Sequence, residues 1–161
     1  MNEIIIAPSI LSADFAHLAD EIKRVEDAGA DIITFHLEAA KHAHRIIQEI
    51  HAADCKAGIA INPATPLFSI EEIVPYVEMV LIMTVNPGFG GQKFIPTMTQ
   101  KISRLRQIID AEKFECDIEV DGGINPQTSQ IVRDAGANIL VAGSAIYGSK
   151  NIADAVKNIR G

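Results

Sequence analysis

The sequence predicts an α/β protein, a parallel sheet covered by helices. Short apolar strand patterns alternate with amphipathic helix patterns in about six βα units, and polar and glycine residues gather where the strand patterns end. Alternation of this kind sets parallel strands side by side and lays the intervening helices over the sheet. A third observation is an internal echo. Glu26-Asp27-Ala28-Gly29-Ala30-Asp31-Ile32 resembles Arg133-Asp134-Ala135-Gly136-Ala137-Asn138-Ile139. Both are a helix end, a glycine turn and an apolar strand start, which shared turn chemistry largely explains and which agrees with a barrel-like repeat.

Each element has its own signature. Ile4-Ile5-Ile6-Ala7 is a continuous apolar run, the mark of a strand buried on both faces, and Pro8-Ser9 ends it. A helix pattern starts at Ser12 with Phe15, Leu18, Ile22 and Val25 on one side, and Gly29 closes it. The second strand is Ile32-Ile33-Thr34-Phe35-His36-Leu37, followed by a helix over Lys41 to Ala53. Lys56 to Ile61 is the third, broken by Asn62-Pro63, and Ser69 to Tyr76 reads as a short helix. Met79 to Val85 is the fourth, running into the glycine-rich loop Asn86 to Gln92 and then a helix with Ile102, Leu105, Ile108 and Ile109 on its apolar side. Ile118-Glu119-Val120-Asp121 is the fifth, with a helix from Thr128 to Ala135. Ile139 to Ala142 is the sixth, and Ile152 to Ile159 the last helix.

Nothing in the composition divides residues 1–161, which fit one domain with a real core. Hydrophobic residues make up 48% and charged residues 22%, as in a globular protein. A net charge of −7 argues against a general nucleic-acid binder but leaves room for an anionic small molecule held by backbone N–H groups. Cys55 and Cys116 stand apart, without the spacing of a disulfide framework or a zinc site. No signal peptide or membrane span is read, so a cytoplasmic location is expected.

In a parallel α/β sheet the functional loops lie at the carboxyl ends of the strands. Those ends carry Ser9, then His36 and Glu38, then Asn62, then the loop from Asn86, then Asp121-Gly122-Gly123 and Gly143-Ser144. Asp121 is either an acid/base at the end of a strand or part of a plain Asp-Gly turn. Gly88, Gly90 and Gly91 leave N–H groups uncovered, as a phosphate cradle or a simple lid. The loops after the last two strands, at Gly122-Gly123 and Gly143-Ser144, occupy the usual phosphate position of a barrel, so a phosphorylated small molecule is the favoured ligand. His36 is a ligand, a base or, as is commoner for a lone histidine, a structural residue. His42, His44 and His51 read as solvated, and Met83 as a core residue close enough to a strand end to line a pocket.

Taken together, APSILSADF from Ala7, NPATP from Asn62, MTVNPGFGGQKFIP from Met83, IEVDGGIN from Ile118 and VAGSAI from Val141 resemble the ribulose-phosphate 3-epimerase family, in that family's order. The resemblance implies an eight-stranded (β/α) TIM barrel that interconverts D-ribulose 5-phosphate and D-xylulose 5-phosphate. The proton at carbon 3 moves through an enediolate, with a divalent metal such as zinc, iron, manganese or cobalt. Inversion there takes an acid/base on each face, normally two aspartates. By resemblance Asp121 is one of these and also a metal ligand. Substrate is held by Ser9, Gly88, Phe89, Gly90, Gly91, Asp121, Gly122, Gly123, Gly143 and Ser144.

One departure is large. In the family a His-x-Asp-x-Met-Asp-Gly strand follows the first unit, and a His-Leu-Met-like strand follows that. Here Ala28-Gly29-Ala30-Asp31 leads straight into IITFHLEA, which resembles the family's fourth strand. Two βα units are missing, and with them the second aspartate and both metal histidines. Asp121 alone is short of the three protein ligands that a catalytic zinc takes. The expectation is therefore a shortened, open or distorted barrel, with association of chains as another way to cover the exposed edges. Its function is either the epimerase reaction or phosphosugar binding without it.

Overall fold

The computed structural model describes residues 17, 20, 22, 23, 27, 30–88 and 91–161. The expected first strand, most of the first helix, Ser9, Phe89 and Gly90 lie outside the described residues. The remaining strands form one parallel sheet in sequential order: β1 (Ile32–His36), β2 (Lys56–Ile61), β3 (Met79–Met83), β4 (Asp117–Asp121) and β5 (Ile139–Val141). The helices are α1 (Ala43–Ala52), α2 (Met98–Glu112), α3 (Pro126–Asp134), the single turn α4 (Ser144–Tyr147) and α5 (Ile152–Arg160).

Side chains alternate along a strand, so each strand has a helix-facing set and an opposite set. Ile33, Phe35, Ile59, Ile61, Val80, Ile82, Ile118 and Val120 share one core cluster with Ile47 and Ile50 of α1, Ile102 and Leu105 of α2, and Val132 of α3. The opposite set falls into rows through the strand register. His36 is level with Ala60, Leu81, Glu119 and Ile139, and above them Met83 is level with Asp121 and Val141. This second face is less completely covered, and Val141 is 39% exposed. Small residues on β2 let it approach its neighbours: a Cβ on Gly58 would come within 2.5 Å of Thr34 Oγ1.

The helices start and stop as local chemistry dictates. Asn125 caps α3 by accepting from the N–H groups of Gln127 and Thr128, while Thr128 Oγ1 accepts from the Asn125 N–H, and Pro126 fills the first helical position. The short helix expected over Ser69 to Tyr76 is instead two 3₁₀ turns, Leu67–Ser69 and Val74–Tyr76. Pro75 contributes to this, because it lacks the N–H that a continuous α-helix through the segment would use, and it stands instead in the first turn of the second piece. Strand β3 stops at Met83 rather than Val85, and its last rung to β4 is the Thr84 N–H donating to the Asp121 carbonyl at 2.8 Å. Among the described residues no helix is long and apolar enough to cross a membrane.

Candidate functional site at the carboxyl ends of the strands

A cavity of about 460 Å³ opens where β1, β3, β4 and β5 end. Nine of the residues singled out from sequence line it: His36, Met83, Gly88, Gly91, Asp121, Gly122, Gly123, Gly143 and Ser144. Leu81 and Val85 complete much of the wall. A larger groove of about 670 Å³ runs outside the sheet between Phe68 and α2. It contains neither a strand-end carboxylate nor the glycine loops, so the chemistry is placed in the smaller cavity.

Two threonines that sequence reasoning passed over hold the loop after β4. Thr84 is fully buried, and its hydroxyl lies 2.9 Å from the Asp121 carbonyl and 2.6 Å from that of Gly122. Thr128 Oγ1 donates to the Gly123 carbonyl at 2.9 Å. No cis peptide occurs here, and in a trans peptide C=O and N–H point opposite ways. The register Asp121↔Val141 turns the Gly122 N–H to β5, while pulling back the Gly122 and Gly123 carbonyls turns the N–H groups of Gly123 and Ile124 away from the two threonines. Consecutive N–H groups so arranged suit an anion. The signal available in sequence was that Thr84 is the one polar residue in MVLIMTV.

Gly122 and Gly123 stand at φ 121° and 66°, in backbone that side chains rarely adopt. Opposite them, Gln92 Nε2 donates to the Asn86 carbonyl at 2.5 Å and closes the glycine-rich loop.

Asp121 is the last residue of β4, and burial raises its carboxyl above the ordinary value. Glu119 lies two residues before it on the same face. Burial, and then the charge of Asp121, push Glu119 from 4.5 up to about 7. Folding thus raises an acid's pKa, so stability falls as pH climbs from about 4.5 to about 7 and levels off above. Glu119→Gln is expected to match the parent at pH 4. At pH 8 it should exceed it by on the order of 2 kcal/mol, with solvent screening at this partly open position allowed for. Urea unfolding at the two pH values measures this, and equal stability at pH 8 would refute it.

A second network lies beside the cavity. Glu38 accepts from the Asn62 N–H at 2.8 Å and from Thr65 Oγ1, and its Oε2 is 3.5 Å from His36 Nδ1. Burial alone would raise Glu38, but these hydrogen bonds outweigh it and hold its carboxyl below the usual value. Lys101 Nζ donates to the carbonyls of Asn62, Pro63 and Thr65 at 3.1, 2.8 and 2.6 Å. Asn62 thus anchors the loop after β2 and does not line the cavity.

The metal that the resemblance implies does not fit this donor set. Among the described residues no three His, Cys, Asp or Glu side chains come together as ligands, and zinc sites normally take at least three protein ligands. Cys55 and Cys116 are buried and not disulfide-bonded, and the Cys55 thiol donates to the Ala30 carbonyl at 3.4 Å. Burial, reinforced by the charge of Asp117, pushes Cys116 up to about 12.

Sequential parallel strands, helices over one face and a glycine-framed cavity at the strand ends define a protein of the (β/α) TIM-barrel class. The solved 3-hexulose-6-phosphate synthase has the same fold, with a TM-score of 0.70 at 22% identity over 97% of this chain and 72% of that one. The Ribulose-phosphate 3 epimerase family matches residues 5–33 and 24–147. The ribulose-phosphate 3-epimerase of Methanocaldococcus jannaschii is 40% identical over 208 residues, covering 96% of this chain and 89% of that protein. The enzyme of the same name from Bacillus subtilis is 39% identical over 212 residues, 97% of this chain and 98% of that protein. The chain belongs to the ribulose-phosphate 3-epimerase family.

The same matches locate the shortening. Alignments of 208 and 212 residues exceed a chain of 161, so the relatives carry a stretch that this chain passes over. The two family matches overlap at residues 24–33, the glycine turn and the strand start after it.

Proposed function

We propose that this chain binds a pentulose 5-phosphate in the strand-end cavity and inverts carbon 3, interconverting D-ribulose 5-phosphate and D-xylulose 5-phosphate. The observation that carries the reading is the placement of Asp121. It is a partly buried carboxylate of raised pKa, beside N–H groups that Thr84 and Thr128 aim away from themselves. The phosphate is assigned to Gly122, Gly123, Gly143 and Ser144, with Gly88 and Gly91 covering it. Ser9, Phe89 and Gly90 belong to the same assignment by family pattern. Asp121 takes the carbon-3 proton, the electron pair becomes the C2=C3 bond of an enediolate, and return of a proton to the other face gives the epimer.

A second reading has its own support. The strands that bear the family's other aspartate and its metal histidines are missing, and the donors among the described residues do not make a metal site. On that reading the chain holds the sugar phosphate without converting it.

A coupled assay on D-ribulose 5-phosphate separates the two. Turnover proportional to protein supports the epimerase, whereas saturable binding with no product supports the binding protein. Elemental analysis tests the metal separately. Metal well below one per chain is expected, and stoichiometric metal that disappears in Asp121→Asn would restore the family's metal centre.

A further inference from the structure

We propose that His36, oriented by Glu38, is the second proton-transfer group of this shortened site and stands in for the missing aspartate. The inference rests on the epimerase reading and adds a residue to it. Among the described residues that line the strand-end cavity, His36 and Asp121 are the only titratable side chains. A reaction that removes a proton from one face of carbon 3 and returns one to the other needs two such groups.

Their placement suits the task. His36 ends β1 and Asp121 ends β4, with β2 and β3 between them, so the two side chains enter from different walls. Three strand spacings of about 4.8 Å set their backbones roughly 14 Å apart along the sheet, less across a curved one. An imidazole and a carboxylate reaching inward from such positions leave room for a sugar carbon between them.

The surroundings of His36 are those of an oriented ring rather than a loose surface histidine. Its side chain is 10% exposed, and its Nδ1 faces Glu38 Oε2 at 3.5 Å. A carboxylate facing one ring nitrogen at ion-pair distance favours a proton there and leaves the other nitrogen as the working group. Glu38 is itself fixed by the Asn62 N–H and Thr65 Oγ1, and Lys101 ties down the carbonyls of the same loop. Glu38 is the positioning residue. In one direction Asp121 accepts the carbon-3 proton while the C2=C3 bond forms. Protonated His36 then delivers its proton to the opposite face as the C2=O bond re-forms. Asp121 ends protonated and His36 neutral, and exchange with water after release restores both; the reverse reaction exchanges the roles.

The test follows proton exchange in D2O by NMR, with D-ribulose 5-phosphate and D-xylulose 5-phosphate offered separately. Wild-type protein is expected to epimerise both and to wash deuterium into carbon 3. His36→Gln should lose epimerisation about 100-fold while one epimer still exchanges its carbon-3 proton, and Asp121→Asn should spare exchange of the other epimer only. Lost inversion with one-sided exchange is a pattern that mere loosening of the fold would not produce. If His36→Gln does not fold, Glu38→Gln carries the test, with exchange of the His36-side epimer falling about 10-fold relative to the other. Wild-type epimerisation in His36→Gln, or equal loss of both exchanges in folded variants, overturns the role of His36 and leaves the epimerase reading standing. Wild-type protein that neither exchanges nor epimerises overturns that reading, and this role with it.

Discussion

Asp121→Asn is expected to lower epimerisation of D-ribulose 5-phosphate at least about 1,000-fold, within the range that a positioned acid/base contributes. The amide has nearly the shape of the carboxylate but cannot take up the carbon-3 proton. The backbone of residue 121 is held independently of its side chain, because its carbonyl accepts from both the N–H and the hydroxyl of Thr84. The fold and the glycine loops should therefore survive, and the variant should still bind inorganic phosphate or the substrate with little change. The substitution also removes the charge that helps push Glu119 upward, so stability near pH 8 should hold or rise slightly. Steady-state rates, phosphate titration and urea unfolding on the same preparation check the three parts. Unaltered turnover would trace the activity to another group or to a contaminating enzyme.

The sequence made the strand ends readable because parallel α/β proteins concentrate function there. Asp121, Gly122, Gly123, Gly143 and Ser144 meet around one cavity without any being adjacent to all the others in the chain. Contacts that span dozens of residues were not readable. Thr84 reaches the loop after Asp121, and Lys101 reaches back to Asn62, through partners that only the folded sheet brings near. Glu119 was legible in principle. In Asp117-Ile118-Glu119-Val120-Asp121 acidic residues alternate with apolar ones, and a period of two sets Glu119 and Asp121 on one face. His36 was placed at a strand end but left without a partner. Glu38, two residues further on, became its neighbour because a 3₁₀ turn (Leu37–Ala39) follows β1.

Gly123→Ala is expected to destabilise the protein by roughly 3 kcal/mol, combining left-handed backbone with overpacking. The residue sits at φ 66°, and an added Cβ would lie 2.3 Å from the Phe94 backbone nitrogen and 2.7 Å from its Cα. Those are main-chain atoms, so no rotamer change can relieve the clash. The loop after β4 must instead move away from residue 94, two positions beyond the Gln92 that closes the opposite loop. Gly143→Ala is the matched control. Its glycine also lines the cavity, but its φ is −98° and an added Cβ meets nothing within 4 Å. That variant should unfold within about 0.5 kcal/mol of the parent, as expected of a surface change away from packed features. Urea unfolding of the two variants side by side separates backbone geometry from simple loss of a glycine. Equal stability would mean that the approach of Phe94 to Gly123 does not set the loop. A large loss confined to Gly123 would tie the position of the N–H groups around Asp121 to the packing of that one contact.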